Sequence, residues 1–133
     1  MTLHCFGNWY EYNSTVMVLS NSLTTINNLI FNSWRAYNQP NMTIPSSVTT
    51  INGQVFQAWR AYDRDFVFEH TTTIPFFDSS GYVWNLWNSY FPARITTPNS
   101  TRTNAEWKTA IGDINYNDGD IESINGVLWG DIA

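Results

Sequence analysis

Hydrophobic positions along this chain follow two competing periods. Across Asp63-Arg-Asp-Phe-Val-Phe-Glu-His70, alternation places Asp63, Asp65, Val67 and Glu69 on one face and Phe66 and Phe68 on the other, as in a half-buried strand. Elsewhere the spacing suits a helix: Ile26, Leu29, Ile30, Trp34 and Tyr37, and again Ile51, Val55, Trp59 and Tyr62. In helices, Thr25 and Thr50 would be N-caps. Residue type argues the other way. Asn, Thr, aromatic and β-branched residues dominate, good helix formers are scarce, and Gly53 would sit inside the first turn. The segments Met42-Thr-Ile-Pro45, Thr72-Thr-Ile-Pro75 and Ile95-Thr-Thr-Pro98 read as extended chain, because a residue before proline is pushed out of the helical region. The pattern predicts a mainly β fold of short strands, with an α+β fold containing short amphipathic helices as the alternative. Residues 38–50, 71–81, 92–104 and 112–120 read as connections.

The chain also resembles itself. Leu23-Thr-Thr-Ile-Asn-Asn-Leu-Ile-Phe-Asn-Ser-Trp-Arg-Ala-Tyr37 matches Val48-Thr-Thr-Ile-Asn-Gly-Gln-Val-Phe-Gln-Ala-Trp-Arg-Ala-Tyr62 at nine of fifteen positions, at an offset of 25. The shared unit is an apolar residue, Phe or Trp, then Trp and Tyr at steps of three. It occurs at Phe6, Trp9 and Tyr12, at Phe31, Trp34 and Tyr37, at Phe56, Trp59 and Tyr62, and at Trp84, Trp87 and Tyr90. A partial fifth copy, Ser123-Ile-Asn-Gly-Val-Leu-Trp129, echoes Thr50-Ile-Asn-Gly-Gln-Val-Phe56. Periods of this size predict one supersecondary unit, stacked or ringed, because a single unit cannot bury its aromatic face alone. The expectation is one compact domain over residues 1–133, built from repeats of about 25 residues. The incomplete last unit would be completed by the first copy, around Phe6 to Tyr12, or by a neighbouring subunit.

Composition changes the picture in one respect. Aromatics make up 17% of the chain and charged residues only 13%, against about 25% charged in a typical domain. Asn, Thr and Ser fill the gap, which suits extended contact with protein or sugar. The net charge of −5 argues against non-specific nucleic-acid binding and against an anionic membrane surface. The lone Cys5 allows no internal disulfide and aligns with Ile30 and Val55 as a core position. The start, Met1 to Gly7, has no basic or apolar leader pattern and reads as made in a cytosol.

Chemical motifs are sparse. The loop from Asp113 to Glu122 alternates oxygen ligands like a calcium loop, but Gly119 arrives one place late and Ile124 stands where a bidentate Glu is needed. It reads as a solvated turn. The carboxylates of Asp63, Asp65 and Glu69 could serve glycoside hydrolysis only if they converged. On an ordinary strand they would simply face solvent. His4 and His70 have no metal-ligand spacing, and neither a nucleophile elbow nor a phosphate-binding glycine loop is present. No cofactor and no enzymatic activity are expected. Trp34, Arg35, Tyr37, Trp59, Arg60, Tyr62, Trp84, Trp87, Tyr90 and Trp129 are the candidates for partner or glycan binding. Arginine recurs beside tryptophan in two units, and Asn85 and Asn88 interleave the Trp84–Tyr90 cluster.

The ending Gly119-Asp-Ile-Glu-Ser-Ile-Asn-Gly-Val-Leu-Trp-Gly-Asp-Ile-Ala133 resembles the Ile-Asn-Gly-Val-x-Trp-x-Asp-Ile units found near the ends of tailed-bacteriophage virion proteins. The resemblance implies a virion component, made in the host cytoplasm, of the head-decoration, cement, fibre or tail-accessory type. Its implied partners are copies of itself and a capsid or tail protein, with no role for nucleic acid or membrane. A repeat lectin binding glycans through its Trp and Tyr clusters is the alternative, and a small glycan hydrolase is the third.

Overall fold

The structure is a computed structural model that describes residues 10–11, 19–27, 35–36, 42–53, 65–78, 92–98, 102–112 and 121–133. Among these residues it is mostly short strands, with one helix. The strands are β1 (Tyr10–Glu11), β2 (Thr25–Ile26), β3 (Arg35–Ala36), β4 (Met42–Ile44), β5 (Thr50–Ile51), β6 (Asp65–Phe68), β7 (Phe76–Phe77), β8 (Ala93–Thr96), β9 (Ile121–Ile124) and β10 (Val127–Leu128). The helix α1 spans Asn104–Ile111, and a 3₁₀ turn covers Trp129–Asp131. The mainly β expectation holds in this coarse form. The positions that would cap helices in the α+β alternative are strand residues. Thr25 opens β2 and Thr50 opens β5, each followed by a buried isoleucine. Three of the expected connections also contain strands: β4 and the start of β5 lie in 38–50, β7 in 71–81 and β8 in 92–104.

Among the described residues strand pairing is parallel, apart from one hairpin. A five-stranded sheet runs in the order β10-β9-β8-β6-β4, and a three-stranded sheet in the order β2-β5-β7; β1 pairs with β3. Parallel neighbours need a long crossover, so each strand meets a segment from a distant part of the chain. Thr25 faces Thr50, and Tyr10 faces Arg35, both at an offset of 25. In the larger sheet Met42 faces Phe66 and Phe66 faces Ile95, at offsets of 24 and 29. The turns that precede β2 and β5 also correspond. Leu23 N–H donates to Ser20 O and Val48 N–H donates to Pro45 O, both at 3.0 Å.

Alternation along the strands sets the core. Met42, Ile44, Phe66, Phe68, Ala93 and Ile95 point inward from the five-stranded sheet, with Ile26, Ile51 and Phe77 from the smaller one. Trp107 and Ile111 complete the same cluster from α1. Phe66 and Phe68 lie buried while Asp65, Val67 and Glu69 face outward, as the sequence pattern predicts. Asparagines join the layers of the small sheet. Asn52 Nδ2 donates to Asn27 Oδ1 at 3.3 Å, one step outside the stacked isoleucines.

The two Ile-Asn-Gly segments occupy different places. Ile51 stacks on Ile26 and Phe77 in the small sheet, whereas Ile124 faces Ile95 in the large one. Asn125 and Gly126 adopt positive φ (51° and 78°) and form the two-residue turn of the β9–β10 hairpin. Asn-Gly suits this turn because both central residues must be left-handed. The apparent fifth copy is thus a hairpin built on β8. Its β9 pairs with β8, while Tyr10–Glu11 pairs with Arg35–Ala36.

Candidate functional site

Parallel stacking turns side chains at matched positions into rows on the outer face. Thr43, Val67 and Thr96 share one row of the large sheet. Beside it Asp65 faces Arg94, and the two form a bidentate ion pair with Nε–Oδ1 at 2.6 Å and Nη2–Oδ2 at 3.0 Å. Both side chains are well exposed, so the pair contributes about 0.2–1 kcal/mol. On the small sheet Thr25, Thr50 and Phe76 share a row. Phe76 is 66% exposed, Leu128 56% and Val127 39%; these are the large apolar side chains left open among the described residues. The described outer surface is therefore threonine-rich and carries apolar points at β7 and β10.

Of the residues proposed from sequence for binding, Trp34, Tyr37, Trp59, Arg60, Tyr62, Trp84, Trp87 and Tyr90 lie outside the described residues. Arg35 belongs to β3, with its backbone opposite Tyr10. Trp129 is buried at 6% exposure. The Lys108 ammonium lies 5.1 Å from its ring centre and donates to the carbonyls of Trp129 (2.8 Å) and Ile132 (3.3 Å). This arrangement clamps the C-terminal turn onto α1. A cation over an indole face is attracted by the ring quadrupole, and lysine near a helix C-terminus also complements the helix dipole.

The acidic cluster divides in the same way. Asp63 lies outside the described residues, Asp65 is paired with Arg94, Glu69 is exposed, and His70 is buried with Nε2 2.7 Å from Val48 O. Asp65 and Glu69 lie on the outer face of one strand and its continuation while His70 points inward, as strand alternation requires. Asp113 to Asp120 lies outside the described residues, and Ile124 is fully buried. Among the described residues no cluster of His, Cys, Asp or Glu could hold a metal ion. No helix among them is long and apolar enough to cross a membrane.

Helix α1 went unread in the sequence, although its signal is present. Thr103-Asn-Ala-Glu106 forms a capping box: Glu106 N–H donates to Thr103 Oγ1 at 3.2 Å, and Thr103 N–H donates to the Glu106 carboxylate at 2.7 Å. That backbone bond, with Arg102 and the Thr103 hydroxyl assisting, holds the Glu106 carboxyl below the usual carboxylate range. Asn104 Nδ2 reaches Ile124 O, and Asn125 Nδ2 donates to both Asn104 Oδ1 (2.9 Å) and Thr97 Oγ1 (2.8 Å). The helix start, the end of β8 and the hairpin turn are therefore one polar network. A shallow depression along the outer side of α1 is lined by Arg102, Ala105, Glu106, Thr109 and Ala110.

No protein-family model, no curated protein and no solved structure matches this chain.

Proposed function

We propose that this chain is a repeat-built structural component of a tailed-phage virion, of the head-decoration, cement, fibre or tail-accessory type, acting through protein–protein contacts. The single observation that carries this reading is the stacking of short parallel strands at near-constant offsets around one core. Such stacking creates broad, regular outer faces suited to extended contact rather than a concave site for a small molecule. The outward Thr43 and Thr96, with the open Phe76 and Leu128, supply a neutral and apolar surface of the kind buried in assemblies. The virion setting rests on the C-terminal Ile124-Asn-Gly-Val127 and Trp129 motif. Copies of the chain and a capsid or tail protein are the proposed partners.

The test is oligomeric state together with location on a native particle. Light scattering on the purified chain is expected to show a defined oligomer, and labelling of intact virions to place it at regular positions. A stable monomer absent from particles would overturn the proposal. Specific glycan binding by that monomer, lost in Trp87→Ala, would establish the lectin alternative instead.

A further inference from the structure

Among the described residues, three buried side-chain atoms lack a hydrogen-bond partner: Ser47 Oγ, His70 Nδ1 and Trp107 Nε1. His70 and Trp107 share one neighbourhood. His70 is 4% exposed and Trp107 fully buried. Their rings lie 6.3 Å apart, edge to face, and both pack against Phe68, at 5.9 Å and 5.2 Å. Ser47 precedes Val48, whose carbonyl lies 2.7 Å from His70 Nε2.

A carbonyl oxygen only accepts, so His70 Nε2 carries the hydrogen that it donates to Val48. In the neutral ring Nδ1 is then an acceptor with a free lone pair, while the indole N–H of Trp107 can only donate. A buried donor and a buried acceptor, each unsatisfied, form a costly arrangement that native interiors resolve, commonly with an internal water making two to four bonds. We propose that one ordered water molecule binds here, accepting from Trp107 Nε1–H and donating to His70 Nδ1. A cation would meet one nitrogen ligand beside an N–H donor, whereas water both accepts and donates and so complements both groups. These groups come from the segment after β6 and from α1. The water therefore ties the helix to the stacked strands at the place where α1 packs against β7.

Nuclear magnetic resonance on the wild-type protein tests this directly. The assigned Trp107 indole proton is expected to show cross-relaxation with a long-lived water, and His70 to appear in the Nε2–H form. In Trp107→Phe the His70 Nδ1 resonance is expected to move, because the bridging water loses its donor. An indole proton without a water contact, an Nδ1–H imidazole, or an unmoved Nδ1 resonance in the variant would each overturn the site. If Trp107→Phe fails to fold, the two wild-type measurements decide alone.

Discussion

At the scale of single residues, the helix cap gives a sharp expectation. Thr103→Ala removes the acceptor for Glu106 N–H and is expected to cost about 1 kcal/mol in urea unfolding. Glu106 adds a pH dependence of known sign. Its folded pKa is lowered, chiefly by the Thr103 backbone N–H. The stabilisation is therefore complete above the unfolded value, about 4.3, and is lost as pH falls through the lower folded value. Glu106→Gln should flatten that part of the stability-versus-pH curve. A wild-type curve with the same slope as the variant's would show that the carboxylate contributes nothing. Both residues of this box stand in the sequence as Thr-x-x-Glu. The box was legible but was overshadowed by the nearby Pro98, Asn99 and Ser100, which favour a loop.

At the scale of elements, the same tripeptide serves two purposes. Asn52 links neighbouring layers through one side-chain bond to Asn27, whereas Asn125 holds a left-handed turn and bonds Thr97 and Asn104. Asn125→Ala should therefore destabilise the fold by roughly 2 kcal/mol, and Asn52→Ala by about 1 kcal/mol or less. Equal losses in matched denaturation curves would contradict this division of roles. In the central strand β6, Phe66 is 1% exposed and flanked on both sides by paired strands. Phe66→Ala leaves a cavity and is expected to cost about 3–5 kcal/mol, read as a lowered midpoint in the same experiment. The inward position of Phe66 and Phe68 was legible from alternation alone. The neighbours of β6, however, come from residues 42–44 and 93–96, and no local pattern specifies that choice.

At the scale of the whole molecule, a contact role predicts that surface substitutions separate binding from folding. Phe76→Ser and Leu128→Ser replace side chains that already face solvent. They are expected to leave the unfolding midpoint within about 0.5 kcal/mol of wild type. The proposed role requires the double variant to associate more weakly with itself or with particles, measured by sedimentation and by particle occupancy. Unchanged occupancy would remove β7 and β10 from the contact surface. Of the sequence candidates, Trp129 belongs to the interior side of this surface, because Lys108 and the 3₁₀ turn fold it inward.

The amino-acid order by itself determined which residues prefer extended chain, which faces of β6 are apolar, and where the Thr103 cap and the Asn125-Gly126 turn fit. These are local properties, set by side-chain shape and by backbone preference over a few residues. Tertiary structure alone decided that Ile124 joins the large sheet while Ile51 joins the small one, and that Lys108 covers Trp129. It also placed His70 beside Trp107 in the core. Each of these outcomes depends on segments more than twenty residues apart competing for the same buried surface, and only the assembled core selects between them.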